Sequence, residues 1–421
     1  MTALAKRSPI WHPFTQHQTE PSFKKIIRTD GAYLTDEDGQ RIFDAISSWW
    51  VTTHGHRHPR ITQAIQAAAE RFDQVIFAEY SHHLAEEVAE GLIDVAPPGM
   101  AHVFFSDSGS TSVEVALKMA LGFFSNRRAP RSSIVVMEHS YHGDTIGTMS
   151  TGARGVFNST YEPLLFDVER IPFPEPGEEQ RSIDALEVHC QTRAVAAFLV
   201  EPLVLGAGGM KMYPPRLLAE YRRITAQYDT LMIADEVMTA WGRTGTLFAC
   251  EQSGITPDIM CLSKGLTAGA LPLAVTLCTP EVFEAHLSDD RARMFFHSSS
   301  YTANPIACAA ALANLEVWRD EPVLTRIQNL ADLHHDQLEA LRLNPRFVNV
   351  RQQGTIAALD LSVQAKGYLS ETGQKLRSFF RSKKLLIRPL GNIIYLMPPY
   401  CATAEDLNLA YATINEAVDN I

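Results

Sequence analysis

Residues 258–265 read Asp258-Ile259-Met260-Cys261-Leu262-Ser263-Lys264-Gly265. An apolar run delivers a serine and a lysine to a glycine, the pattern of a short buried strand ending in a turn. Roughly thirty residues upstream, about the span of one α/β crossover unit, a second apolar run, Leu231-Met232-Ile233-Ala234, ends in Asp235. Two such strands in one sheet bring a lysine and an aspartate to the same crevice. Burial penalises an ammonium group and leaves a neutral amine able to attack a carbonyl, and an aspartate beside it can keep a pyridinium nitrogen protonated. A pyridoxal phosphate enzyme needs that pair, because the cofactor is the electron sink and the protein supplies lysine, counter-ion and orientation. On these two runs alone, a surface lysine and a structural aspartate stay open as the other reading.

The chain's 421 residues favour two or three domains over one small core, and 46% hydrophobic residues suffice to fill them. A net charge of −11 argues against a nucleic-acid or anionic-membrane surface. The six cysteines are widely spaced, with no Cys-x-x-Cys pair, as expected of buried thiols in a reducing compartment. Met1 to Trp11 carries no apolar core of signal length and no segment approaches membrane-spanning length, so a cytoplasmic location is expected.

Working outward, Asp30-Gly31 and Asp38-Gly39 punctuate β-prone runs between Ile26 and Ala45 and predict an antiparallel meander. His54, His56 and His58 alternate, but they lack the partners and helical spacing of a zinc site, and Pro59 opens a helix instead, so no metal is expected. From residue 100 strands and helices alternate. Val103-Phe104-Phe105 leads through Ser106-Asp107-Ser108-Gly109-Ser110 into a helix marked by Val113, Ala116, Leu117, Ala120 and Leu121. Such a turn is either a plain helix cap or a phosphate cradle. Further strands are predicted at 134–137, 194–200, 230–234, 259–262 and 273–278, giving a mostly parallel sheet between helices with its site at the strands' carboxyl ends. Gly206-Ala207-Gly208-Gly209 breaks the dinucleotide fingerprint at Lys211, which disfavours a nicotinamide oxidoreductase.

After Asn304-Pro305 an apolar helix runs through Trp318, and beyond Pro322 the texture is α+β, with a hairpin predicted at Gly391-Asn392 between Leu386-Ile387-Arg388 and Ile393 to Leu396. The expected organisation is residues 1–50 as the N-terminal part of a small α+β domain, 51–320 as the large domain and 321–421 as the rest of the small one.

Together these residues resemble one family over essentially the whole chain, the class III, fold-type-I pyridoxal phosphate aminotransferases. The resemblance rests on Trp11 to Thr15, Ser47-Ser48-Trp49-Trp50, Asp107 to Ser110, Tyr141-His142-Gly143-Asp144-Thr145, Ala234 to Val237, Trp241-Gly242-Arg243-Thr244-Gly245, Ser263-Lys264-Gly265, Ile387 to Gly391 and Tyr395 to Tyr400. It implies pyridoxal 5'-phosphate as cofactor and a homodimer. Lys264 would bind the cofactor and move the reaction's proton, Asp235 would pair with the ring nitrogen, and Tyr141 would stack on the ring beside His142. Ser108, Gly109 and Ser110 would hold the phosphate with Ser300 of the second subunit, while Glu201 would be the family's active-site glutamate. For substrate it implies Arg243, Arg388 on a carboxylate, and Phe14, Trp49 and Trp50 as pocket walls.

The paired tryptophans and the Leu396-Met397-Pro398-Pro399-Tyr400 ending resemble the branch acting in biotin synthesis, which implies 8-amino-7-oxononanoate as acceptor and S-adenosylmethionine as donor. Phe14 stands where many of that branch have tyrosine, and Leu205 where they usually have glutamine. Rival readings are lysine as donor, an ω-amino acid enzyme of the same family, and a catalytically silent binding protein, which would be expected to lack Lys264 or Asp235.

Overall fold

The computed structural model describes residues 8–363 and 367–419, so the first seven residues of the segment read for a signal lie outside it. Its centre is a seven-stranded sheet in the order His102–Ser106, Ala274–Cys278, Ile259–Leu262, Leu231–Asp235, Val195–Val200, Ser133–Met137, Glu169–Ile171. The central strands are buried along their whole length, as both faces carry helices. Helix Gly109–Asn126 packs Val113, Ala116, Ala120 and Phe124 on Ile134, Leu199 and Ile233. Helices Glu179–Gln191 and Pro215–Gln227 cover the other face, with Leu186 and Leu218 against Phe198, Met232 and Ala234.

Pairing is parallel from Ile259–Leu262 across to Glu169–Ile171. Ala274–Cys278 runs antiparallel to both its neighbours. The link from Leu262 to Ala274 holds only one short 3-10 turn, Lys264–Thr267, too little for the crossover a parallel return requires. That tight return is what leaves Lys264 at a strand end. Glu169–Ile171, three residues long, has no period that sequence reading could have found.

The two ends of the chain build a second body around one core, in which Phe43 and Ala45 pack with Ile327, Leu359, Phe380, Leu396 and Ile414. The predicted meander forms as Ile26–Asp30, Tyr33–Asp36 and Arg41–Asp44. Of the predicted hairpin only the turn at Gly391-Asn392 forms, and its arms do not pair as a ladder. Leu385–Leu386 pairs in parallel with Phe43 and Asp44, whereas Ile393–Leu396 joins a separate antiparallel sheet beside Ile356–Leu361 and Phe347–Gln353. Only the Leu390–Ile393 bridge remains between the two arms. Pro389 has no N–H to offer a ladder, and Leu385 is drawn into the core beside Phe43. Arg388 therefore lies on a crossing between two sheets.

Candidate active site

Five segments reach the site from the carboxyl ends of strands that run in one direction, where open α/β sheets bind ligands. Ser108 to Ser110 follow His102–Ser106, Tyr141 to Gly143 follow Ser133–Met137, and Glu201 follows Val195–Val200. Asp235 closes its strand, and Lys264 comes two residues after Leu262. All five line one inner cavity of about 170 Å³.

Lys264 holds a left-handed backbone, φ +47°, an uncommon state for a residue with a Cβ. Gly265 is required beside it, because a Cβ there would lie 2.7 Å from the Trp241 side chain. The amine stands 5.0 Å from the centroid of the Trp50 ring. Burial lowers its pKa to about 8, against the opposing pull of Asp235 and Glu201. A substantial neutral fraction near physiological pH makes it a competent nucleophile.

Asp235 is buried and fixed at both oxygens. Oδ1 accepts the Val237 N–H at 3.1 Å, and Oδ2 lies 2.7 Å from His142 Nδ1. His142 Nε2 is buried without a hydrogen-bond partner among the described residues. Glu201 accepts the N–H groups of Tyr141 and Gly206, each at 2.9 Å, and burial raises its pKa to about 7. Tyr141, whose hydroxyl is held up in pKa by burial and by Asp144, lines both this cavity and the next.

Cap and cradle turn out to use the same residues. Ser108 caps the 18-residue helix, its Oγ accepting the Thr111 N–H while its own N–H donates to Thr111 Oγ1. The first N–H groups of the helix, on Gly109 and Ser110, have no intrahelical acceptor and sit at its positive end, a ready site for a phosphate. Gly143, at φ +132°, lets the neighbouring loop close in, since a Cβ there would fall 2.1 Å from Ser110 Oγ. An anion cradle, a lowered lysine and a carboxylate fixed on a histidine suit pyridoxal phosphate.

Outward lies a second cavity of about 400 Å³ that shares Trp50, Tyr141 and Lys264 with the first. Phe14, Trp49, Phe157, Tyr368, Arg388 and Tyr395 complete much of its wall. The tryptophans come from a strained run in which Ser47, Ser48 and Trp50 all have positive φ. Asp44 holds that run by accepting the Ser48 N–H and hydroxyl, Ser47 Oγ donates to the Met397 carbonyl at 2.8 Å, and Trp50 Nε1 donates to Tyr395 at 3.0 Å. Arg388 is half-buried, with its guanidinium carbon 5.1 Å from the Trp49 ring centroid.

Arg243 is placed differently from its expected substrate role. It is fully buried and lines neither cavity. Its guanidinium donates to the carbonyls of Pro398 and Thr52, each at 2.9 Å, and so ties the segments that follow Met397 and Trp50 to the Trp241–Gly245 loop. Ser300 is exposed and lines neither cavity of its own chain, although Ser299 next to it donates to Asp107. Leu205 is core, packed away from both cavities. Sequence reading missed Phe157, Tyr368 and Tyr395 as wall residues. The first two are single aromatics in loops, with no periodic signal to find them.

The aminotransferase class-III family profile matches residues 14–418. An adenosylmethionine-8-amino-7-oxononanoate aminotransferase of Synechococcus elongatus is 45% identical over 98% of this chain and 99% of its own length. The enzyme of that name from Methanocaldococcus jannaschii superposes with a TM-score of 0.93 at 32% identity, covering 98% of this chain and 97% of the other. A pyridoxal-phosphate-bound amine transaminase from an uncultivated Pseudomonas species superposes at 0.92 with 30% identity, covering 98% and 99%. With Lys264, Asp235 and the Ser108–Ser110 cradle gathered as that chemistry demands, this chain belongs to the class-III aminotransferases and is a pyridoxal-phosphate-dependent transaminase.

Proposed function

We propose that this enzyme transfers an amino group from S-adenosylmethionine to 8-amino-7-oxononanoate, giving 7,8-diaminononanoate for biotin synthesis. The observation that carries this reading is the outer cavity, with Lys264 at one part of its wall, Arg388 at another and aromatic rings between. That acceptor has a ketone beside an amine, an apolar chain and a terminal carboxylate. Its two polar ends match the lysine and the arginine, and its chain matches Phe14, Trp49 and Trp50. The relatives bearing this activity in their names support the same choice.

Bound cofactor supplies the electron sink that lets an amine be exchanged for a ketone. Lys264 Nζ, its pKa lowered by burial to about 8, would hold the cofactor through its carbonyl and would carry a proton to and from the substrate carbon. Asp235, held by His142, would keep the ring nitrogen protonated. Trp50 and Tyr141 bound the space around the amine and limit the entry of water. Donor and acceptor would bind in turn at the one lysine-lined cavity, so ping-pong kinetics are expected. The enzyme works as a homodimer in the cytoplasm, with Ser300 of each chain completing the phosphate site of the other.

Incubating the enzyme separately with S-adenosylmethionine and with lysine, and following the visible spectrum of the cofactor, tests the donor. Conversion by S-adenosylmethionine, followed by 7,8-diaminononanoate when the acceptor is added, is the expected result. Conversion by lysine alone overturns the donor, and pyruvate or 2-oxoglutarate serving as acceptor in place of 8-amino-7-oxononanoate overturns the function. Arg388→Ala is expected to weaken use of the acceptor by roughly 2–5 kcal/mol once the ion pair is desolvated.

A further inference from the structure

We propose that Tyr368 determines specificity at the outer cavity, its phenolic O–H acting with Arg388 as a two-armed grip for the carboxylate of an aliphatic substrate. The proposal rests on the function above and adds a residue and a contact to it. Arg388 has no carboxylate within ion-pair distance among the described residues, although it is half-buried against Trp49. Its recorded hydrogen bonds both leave from Nη2 and reach neutral oxygens, the Tyr368 hydroxyl at 3.2 Å and the Phe14 carbonyl at 3.4 Å. Nε and Nη1 have no acceptor among the described residues. A guanidinium in this state has both the charge and the free donors to take an incoming anion.

The hydroxyls around the cavity divide their roles. That of Tyr395 accepts from Trp50 Nε1 inside the core, and that of Tyr141 is under the influence of Asp144, its pKa raised by burial and by that carboxylate. Phe14, on the wall beside Trp49, has none. Tyr368 therefore carries the hydroxyl that stands beside Arg388. Because this oxygen accepts from the guanidinium, its own proton is left to donate elsewhere. Acceptance from a cation polarises the O–H and strengthens it as a donor, and a carboxylate is the partner that gains most from that.

The arm is also held in place. The Tyr368 ring lies edge-on to Phe157 with centroids 4.7 Å apart, and Phe157 in turn meets Phe14 at 5.9 Å. An aromatic side chain fixed in this way loses little further freedom when ligand binds. Charge on the ligand is the property the pair reads. An ester or an alcohol of the same chain length fills the same apolar wall but cannot accept two charge-assisted bonds.

Tyr368→Phe keeps the ring and its packing and removes only the hydroxyl. Calorimetric titration of the holoenzyme with heptanoate and with methyl heptanoate separates the two contributions. The expected result is a heptanoate Kd raised roughly five- to tenfold, the worth of one hydrogen bond, with methyl heptanoate and the melting temperature unchanged. With 8-amino-7-oxononanoate the KM should rise by the same factor while kcat holds. Equal weakening of acid and ester, or no change for heptanoate, overturns the proposal. Failure of the functional reading shows itself separately, as absence of turnover of 8-amino-7-oxononanoate by the unmodified enzyme, and leaves the heptanoate comparison to stand or fall alone.

Discussion

Lys264 carries a cost that the fold accepts for the sake of its chemistry. Its pKa falls from 10.5 to about 8, chiefly through burial. Between those values the unfolded chain binds more protons than the folded one, so stability rises with pH across that window, and below about pH 8 the full penalty is felt. In the apoenzyme, Lys264→Ala should raise stability at pH 7 by roughly 1–3 kcal/mol, discounted for solvent in the cavity, and the gain should fade above about pH 10. Denaturant melts at pH 7 and pH 10.5 check this. The same variant should bind cofactor without covalent linkage and show no turnover; borohydride-reducible linkage would remove Lys264 from its role. Glu201 behaves in the opposite sense. Its pKa is raised by burial to about 7, so the folded chain binds the extra proton between about pH 4.5 and 7 and loses stability as pH rises through that range. Asp235→Asn keeps the side chain's shape and its bond from Val237, yet cannot hold a pyridinium proton. Rates should drop roughly 100- to 1,000-fold or more with little loss of melting temperature, whereas an aspartate that mattered only to structure would show the reverse pattern.

At the scale of elements, the Ser47–Trp50 run shows strain held at the wall of the outer cavity. Three left-handed residues in four cost on the order of 1–3 kcal/mol each and persist because Asp44 and Met397 hold the backbone. Asp44→Ala should release that run, lower stability by roughly 2–4 kcal/mol, and raise the acceptor KM more than it lowers kcat, because Trp49 and Trp50 lose their seat. Unchanged KM together with an unchanged melting temperature would mean the run is held by something else. None of this strain was visible beforehand. Strand ends were legible, since an apolar run closing on Asp235 or Ser263-Lys264 carries both the element and its polar tip in a few consecutive letters. The Arg388 hairpin was misread for the complementary reason: Leu385 takes its place from Phe43, more than 300 residues away, and local pattern holds no trace of that pairing. Arg243 likewise looks like a site residue in its motif, while its clasp on Thr52 and Pro398 exists only in three dimensions.

For the whole molecule, the placement of Ser300 raises the question of how many chains make one site. It is exposed, and neither cavity of its own chain includes it. Tyr301 beside it is 64% exposed, as are Ile76 at 62% and Tyr80 at 64%, and the segments bearing them are tied together by Asn304 donating to the Asp73 carbonyl at 3.1 Å. Exposed apolar side chains on adjoining loops call for a partner surface. A twofold dimer would bury them and carry Ser300 toward the Ser108–Ser110 turn of the other chain. Complementation tests this directly. Lys264→Ala has a dead site but an intact Ser300, while Ser300→Asp has an intact lysine but repels its partner's phosphate. Neither homodimer should turn over well. Unfolded together and refolded as an equal mixture, they should regain about a quarter of the activity of the unmodified enzyme, because half the dimers are mixed and each mixed dimer holds one sound site. If Ser300 served its own chain's cofactor, each chain would carry its own defect into every pairing, and mixing would restore nothing.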